Sequence, residues 1–417
     1  MLLFYIAVYD FVLLLYYIAA VLVAPFMPKA KQWLQGRKET QQRLSTFKVS
    51  SCKNRIWFHC SSLGEFEQAR PLIEMVKREV PDCYIYLSFF SPSGLEPTKN
   101  KQVADLIFYL PHDTRSNAQW LLGQLQPTLV FWTKYDFFFH YLSELQAAKV
   151  PTVLFAARFL PNQVFFKAYG ALHKRMLTFF SYVLVQDSNS KKLLDTINIE
   201  SEVVEDTRFD RVKAIAQQSF SNEIIERFLL GNKRVLVAGS TWLDDEKIIA
   251  AALQQSSDVK VIVAPHQITE SNLLATESLF AAQQAQVAFY SKFCDADASK
   301  KVLIIDNIGM LSHLYRYAQV CYVGGGFGAG VHNVLEAAVY GKPVVVGTNF
   351  HKSLECIELI RAGAIFSISN AVALAAVMEM LEDSSKLKSV EAIALQFIEK
   401  NSGGTQKIFS HAKQFFK

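Results

Sequence analysis

The hydrophobic pattern opens with an apolar and aromatic run from Leu2 to Val23, broken only by Asp10. About 20 such residues suffice to cross a bilayer core, so residues 1–25 are expected to form a membrane anchor. No positive residue precedes the run and no small-x-small site closes it before Pro25, which argues against a cleaved signal peptide. Lys29, Lys31, Arg37, Lys38 and Arg43 follow at once, and the positive-inside rule then places the rest of the chain in the cytoplasm. A helix lying in the membrane interface is the alternative, because Asp10 and the many tyrosines fit there more easily than in hydrocarbon.

Beyond the basic stretch, short β-rich runs alternate with helical patterns. The runs are Ile56 to His59, Tyr84 to Ser88, Leu106 to Tyr109, Thr128 to Trp132, Thr152 to Phe155 and Tyr182 to Val185. Alternation of this kind predicts a parallel sheet with crossover helices. A polar, helix-like stretch from Val212 to Asn232 interrupts it. The pattern then restarts with Val235 to Ala238, Val259 to Ala264, Val302 to Ile305, Val320 to Val323 and Val344 to Val346. The reset divides the chain into an N-terminal α/β domain, 26–215, and a C-terminal one, 216–417. Both are expected to be Rossmann-like and to face each other across a cleft, with ligands at the carboxyl ends of the strands.

A length of 417 residues exceeds what one hydrophobic core supports, in keeping with two domains. The 43 Lys and Arg outnumber the 38 Asp and Glu only slightly, which does not suit a dedicated nucleic-acid binder; the early basic cluster suits an anionic membrane surface. The six cysteines form no C-x-x-C pair and lack histidines at zinc-finger spacing, so neither a metal site nor a redox motif is expected.

Candidate chemistry concentrates in the second half. Val323-Gly324-Gly325-Gly326-Phe327-Gly328-Ala329-Gly330-Val331-His332-Asn333 follows an apolar strand and precedes a helical pattern from about Val331 to Val339. Glycines admit close backbone approach, and free N–H groups at a helix start attract phosphate, so Gly325 and Gly326 become candidate donor-site residues. A purely structural tight turn is the competing reading. Asn333 and Glu336 lie three apart, where a carboxylate can accept from a ribose diol. Gly341-Lys342-Pro343 leads into the next strand and to Gly347-Thr348-Asn349-Phe350 at its end, so two loops are expected to converge.

The run His332-Asn333-x-x-Glu336-Ala337-Ala338-x-x-Gly341-Lys342-Pro343-Val344, followed by Gly347 and Asn349-Phe350, resembles the donor-site signature of the 3-deoxy-D-manno-octulosonic acid (Kdo) transferases. Further segments agree in order: Ser61-Ser62-Leu63-Gly64-Glu65 with Pro71-Leu72-Ile73, Gly239-Ser240-Thr241 with Asp245-Glu246, Ala264-Pro265-His266, and the apolar N-terminus. The resemblance covers nearly the whole chain. It departs at Lys134, where many members carry a carboxylate, at Pro265-His266, where an arginine usually intervenes, and at Glu205 in place of glycine.

The resemblance implies a GT-B glycosyltransferase, anchored by its N-terminus to the cytoplasmic face of the bacterial inner membrane. It implies CMP-Kdo as donor and a lipid A precursor as acceptor, with inversion at the anomeric carbon and no cofactor or metal ion. A UDP-sugar enzyme of the same fold, or an inactive nucleotide-sugar binder, are the alternatives. An inverting transfer needs a carboxylate base and donors for the departing phosphate. Glu65, at a strand-to-helix turn, is the expected general base, and Asp136 the second candidate. Arg158 and Arg208 are candidates for the sugar carboxylate or phosphate, since a guanidinium binds either bidentately, although surface ion pairs would also explain them. His266, His332, Asn349, Ser240 and Thr241 complete the expected donor site, with helix capping an alternative for the last two.

Overall fold

The computed structural model describes residues 2–134, 136–232, 234–254 and 258–417. The chain divides into two compact units, Met1–Arg211 with Ser402–Lys417, and Val212–Asn401.

The first unit begins with helices α1 (Leu2–Val23) and α2 (Pro28–Ser45). Strand β1 (Asn54–Cys60), helix α3 (Leu63–Glu79), and strands β2 (Cys83–Phe89) and β3 (Leu106–Tyr109) follow. Helix α4 (Arg115–Leu125), β4 (Leu129–Thr133), α5 (Phe139–Ala147), β5 (Thr152–Ala157), β6 (Tyr182–Val185) and the two-residue β7 (Glu202–Val203) complete the order. The strands form one parallel sheet, β3-β2-β1-β4-β5-β6-β7. Both faces are covered, as parallel sheets require, and the strand alternation sorts their side chains. Ile56, Phe58, Ile85, Leu87, Phe131 and Phe155 face α3 and the C-terminal helix Gly404–Ala412, while Trp57, Tyr86, Val130, Trp132 and Leu154 pack with α4 and α5. The register pairs Phe58 with Phe131 and Trp57 with Val130, setting the two phenylalanine rings 4.8 Å apart.

The second unit repeats the plan with β8 (Val235–Thr241), α6 (Leu243–Leu253), β9 (Lys260–Pro265), α7 (Glu270–Ala282), β10 (Val287–Phe289), β11 (Val302–Ile304), β12 (Val320–Val323), α8 (Leu335–Ala338), β13 (Val344–Val346) and β14 (Ile365–Ser367). Its parallel sheet has the order β10-β11-β9-β8-β12-β13-β14. In each sheet the first strand of the unit lies where the strand order reverses, beside β4 and β12 respectively. Ligands bind at such switch points in open α/β sheets.

The tail differs from the expectation of a second domain running from 216 to 417: the boundary falls at 211/212, and residues 402–417 belong to the first unit. The reason is local. Ile408, Phe409 and Ala412 fill one face of the first sheet. The Asp210 carboxylate accepts from Gly403 N at 2.6 Å and Thr405 N at 2.7 Å, satisfying N–H groups at the start of the terminal helix. Gly404 packs so closely on Glu205 that a Cβ would stand 2.0 Å from the Glu205 carbonyl oxygen.

Helix α1 is long and apolar enough to cross a membrane. It also lies against the first unit. Tyr5, Ile6 and Tyr9 touch the core. The Tyr9 hydroxyl donates to Asp113 at 2.6 Å and accepts from Phe139 N at 3.2 Å, while His140 Nε2 stands 2.7 Å from Asp10. The Tyr16 ring meets Trp33 at 5.8 Å and Tyr17 meets His112 at 5.4 Å. The opposite face, including Leu3, Phe4, Phe11, Leu15 and Leu22, is exposed.

Candidate active site

In the first unit the candidate chemistry gathers at the carboxyl ends of β1 and β4. Backbone extended at Ser62 turns the chain from β1 into α3, which places Glu65 in the first helical turn, where the helix dipole favours a carboxylate. Its side chain folds back beneath the turn: Ser61 N donates to Glu65 Oε2, and Glu65 is 5% exposed. Burial drives its pKa from 4.5 up to about 7, and the nearby Asp136 charge pushes the same way. The Ser61 N–H and the Lys134 ammonium pull it partly back. Glu65 is thus a carboxyl group that changes protonation near neutral pH, the range in which a general base works best.

Asp136 is exposed, just beyond β4. Lys134 adopts φ 60°, a left-handed conformation uncommon for a side-chain-bearing residue, and its N–H donates to Phe155 O at 2.9 Å. The strain turns the chain sharply as it leaves the strand end, next to Thr133, whose hydroxyl meets Cys60 Sγ at 3.5 Å. Glu65, Lys134 and Asp136 therefore form one charged cluster at the switch point. The two candidate arginines stand elsewhere in this unit, each facing a carboxylate. Arg158 Nε lies 3.5 Å from Asp187, and Arg208 binds Asp206 through Nε and a terminal nitrogen at 2.8 Å. Asp206 also accepts from Gln68, one turn along α3 from Glu65, at 3.4 Å.

In the second unit the glycine loop leaves β12 and folds against β8 and β13. Glycine is required where backbones touch. A Cβ on Gly324 would meet Ser240 O at 2.4 Å, and one on Gly326 would meet Gly347 N at 2.5 Å; Gly325 has φ 91°. The expected helix from Val331 to Val339 is only Leu335–Ala338. Asn333 ends the loop by accepting from Leu335 N at 3.3 Å and donating to Glu336 Oε1 at 3.0 Å. Many of the loop N–H groups expected to face a phosphate are satisfied internally. Gly325 N donates to Asp245 at 2.9 Å, His332 N to Gly324 O at 3.0 Å, Gly328 N and Gly330 N to Gly325 O, and Val331 N to Asn349 O. The Asn349 amide donates to Gly328 O at 2.8 Å, fastening the two loops together.

Thr241, a candidate substrate contact or helix cap, already holds an internal partner. Its hydroxyl is buried and donates to Glu246 at 2.7 Å, because it sits on the inner face of β8. Ser240 beside it is half-buried with φ 53°. His266 and His332 do come together, their rings stacked 4.4 Å apart, and Trp242 packs on His266 at 4.8 Å. Trp242 Nε1 donates to His332 Nε2 at 3.2 Å, which leaves the His332 proton on Nδ1. Burial and the neighbouring His266 hold His332 below its ordinary pKa. Sequence reasoning missed Trp242 and Asp245 as site residues. The signal was present: Asp245 three residues after Trp242 is helix-capping spacing, and Asp245 accepts from Trp242 N at 2.9 Å and from Tyr322 OH at 2.8 Å. Among the described residues, no three His, Cys, Asp or Glu side chains are grouped to hold a metal ion.

Residues 38–211 match the family model described as 3-deoxy-D-manno-octulosonic-acid transferase (kdotransferase). A 3-deoxy-D-manno-octulosonic acid transferase from Aquifex aeolicus is 25% identical over 82% of this chain and 90% of its own length. A bifunctional glycosyltransferase/methyltransferase from Fusobacterium nucleatum is 23% identical over 96% of this chain, which spans 64% of that longer protein. Among solved structures, a UDP-GlcNAc 2-epimerase from Neisseria meningitidis bound to UDP-GlcNAc superposes with a TM-score of 0.60 at 13% identity, over 86% of this chain and 99% of that one. At that identity the likeness shows the shared two-unit GT-B fold alone.

Proposed function

From the match of residues 38–211 to the Kdo transferase family model and the likeness to curated Kdo transferases, we propose that the chain is a Kdo transferase that moves Kdo from CMP-Kdo to a hydroxyl of a lipid A precursor, with inversion at the anomeric carbon. The observation that carries the mechanism is the buried Glu65 carboxyl group, poised near pH 7 at the strand switch point. In the proposed step the acceptor oxygen bonds to the anomeric carbon as the bond from that carbon to the CMP phosphate breaks. The hydroxyl proton passes to Glu65, and CMP leaves with the electron pair. Burial makes Glu65 a stronger base than an exposed carboxylate, which favours proton capture as the new bond forms. Asp136 raises that basicity while Lys134 moderates it.

On the second unit, the Trp242-His266-His332 stack and Glu336 are the proposed contacts for the nucleotide, with Glu336 taking a ribose hydroxyl. Ser240, Gly325, Gly326, Asn333 and Asn349 shape the loops that hold it. Arg158 and Arg208 are proposed to bind the acidic groups of the substrates by exchanging their present carboxylate partners. The proposed step uses no metal ion.

We place the protein at the cytoplasmic face of the inner membrane, with α1 lying in the bilayer interface. The contacts from Tyr5 to Tyr17 run about 18 Å along the helix at 1.5 Å per residue. That docked length leaves too few free residues to cross a hydrocarbon core of about 30 Å. Incubating purified protein with CMP-Kdo and a lipid A precursor, then weighing the lipid by mass spectrometry, tests the function. Added Kdo mass is expected; unchanged lipid at saturating donor would overturn the reading.

A further inference from the structure

The first unit buries a positive charge that, among the described residues, no carboxylate pairs with. Arg37 is 8% exposed. Its guanidinium lies 3.6 Å above the Trp33 ring and 4.9 Å from the Phe90 ring, and it donates to Phe90 O at 3.1 Å and Trp33 O at 3.4 Å. Its buried Nε–H finds no partner, and among the described residues no carboxylate bonds to it. Ring faces and carbonyls solvate a cation without cancelling it, and buried charges in proteins are ordinarily paired. Burial pushes the guanidinium pKa down to about 9, the direction for a cation lacking a counter-charge.

Arg37 lines a groove of about 590 Å³ between α1, α2 and the segment after β3. Tyr17 and Val21 of α1 and Leu34 of α2 form its apolar part, Arg37, Lys38 and His112 its basic or imidazole part. The other lining residues are amides and a proline, and none is acidic. A second hollow beside α2, of about 460 Å³, holds Glu39 and Glu96 along with Arg43 and Lys99, so its charges balance. Of these two hollows beside α2, the first has a basic lining with no acidic residue and so favours an anion. Its apolar wall belongs to the helix whose outer face, including Phe11, Leu14, Ile18 and Leu22, stands exposed. A ligand matching both parts carries a phosphate for the guanidinium and an acyl chain for α1.

We propose that this groove binds the phosphate headgroup of an anionic membrane lipid, with Arg37 as the buried anchor and Lys38 at the rim. This rests on the reading that α1 lies in the bilayer interface. A guanidinium binds a phosphate ester through paired N–H groups, which a diffuse basic surface does not do. The source of the phosphate is a lipid, because soluble phosphate leaves Tyr17, Val21 and Leu34 uncovered.

The test is calorimetric titration of the full-length protein, in neutral detergent, with dihexanoylphosphatidic acid, dihexanoylphosphatidylcholine and inorganic phosphate. The acidic lipid is expected to saturate one site at least about tenfold more tightly than either of the others. Arg37→Gln is expected to weaken it about tenfold or more, and Lys38→Gln about threefold. Equal binding of phosphatidylcholine, whose own ammonium neutralises its phosphate, or equal binding of inorganic phosphate, would overturn the proposal. So would unchanged affinity in Arg37→Gln with a native circular dichroism spectrum. If that variant fails to fold, the exposed Lys38→Gln decides by the same measure. Flotation with phosphatidylglycerol vesicles at high salt separately tests the interfacial helix: a protein that fails to float but binds the short-chain acidic lipid refutes the membrane reading and keeps the groove.

Discussion

Replacing Glu65 by glutamine should raise stability at alkaline pH while removing activity, and the two effects have one cause. The folded protein holds the Glu65 carboxyl at a pKa of about 7 against an ordinary 4.5. A raised carboxylate pKa means that the folded state keeps a proton the unfolded chain has released. Stability therefore falls as pH rises from about 4.5 to about 7 and is level above that window. That difference corresponds to about 3.4 kcal/mol, most of it the cost of a charge held out of water. Glutamine is uncharged, keeps nearly the same volume, and retains a carbonyl oxygen to accept from Ser61 N.

The variant should thus gain about 2.5 kcal/mol over the native protein on going from pH 5 to pH 8, since at pH 5 the native carboxyl is already protonated when folded. At about 2–4 °C per kcal/mol for a domain of this size, the melting-temperature difference should grow by about 5–10 °C. Melting curves of both proteins at the two pH values measure it, with single-turnover transfer from CMP-Kdo alongside. Transfer should fall about a hundredfold or more, as for loss of a positioned base. A melting-temperature difference that stays constant between pH 5 and pH 8 would refute the buried-charge argument. Near-normal transfer would remove Glu65 as the base.

Asp136→Asn should move the acidic limb of the pH–rate profile to lower pH, and Lys134→Met should move it to higher pH, because the two charges act on Glu65 with opposite signs; shifts of the same sign would contradict the cluster. Glu336→Gln should weaken CMP binding by about 1.5 to 3 kcal/mol if its carboxylate takes a ribose hydroxyl, as calorimetry would report. Asp210→Ala should cost about 1–2 kcal/mol by stripping two acceptors from the start of the terminal helix, seen as a lower melting temperature and faster proteolytic release of residues 402–417.

Much of the architecture was legible in local pattern. Apolar runs separated by helical stretches identified strands β1 to β6, β8, β9 and β11 to β13, all but the edge strand β3 interior to their sheets, because strands buried on both faces are continuously hydrophobic. Three edge strands escaped: β7 is two residues and exposed, while β10 and β14 are only partly buried, unlike the equally short but fully buried β11 and β13. The resemblance carried by residues 332 to 350 brought the glycine loop and Glu336 to notice. It could not show that Asp245, some 80 residues earlier, takes the Gly325 N–H.

By itself the sequence determined the two α/β halves, the apolar N-terminal helix, the glycine loop and the resemblance to the Kdo transferases, since these depend on periodicity and ordered motifs close together along the chain. Tertiary structure alone decided the rest. It returned the last helix to the first unit, turned the Thr241 hydroxyl inward to Glu246, spent much of the loop's N–H capacity on its own carbonyls, and laid α1 along the unit through Tyr9 and Asp10. It also buried Arg37 among aromatic rings and backbone carbonyls and raised the Glu65 pKa to about 7. Each depends on which distant groups share a low-dielectric neighbourhood, and the energy of a charge or hydrogen bond there is set by burial and partners that residue order does not encode.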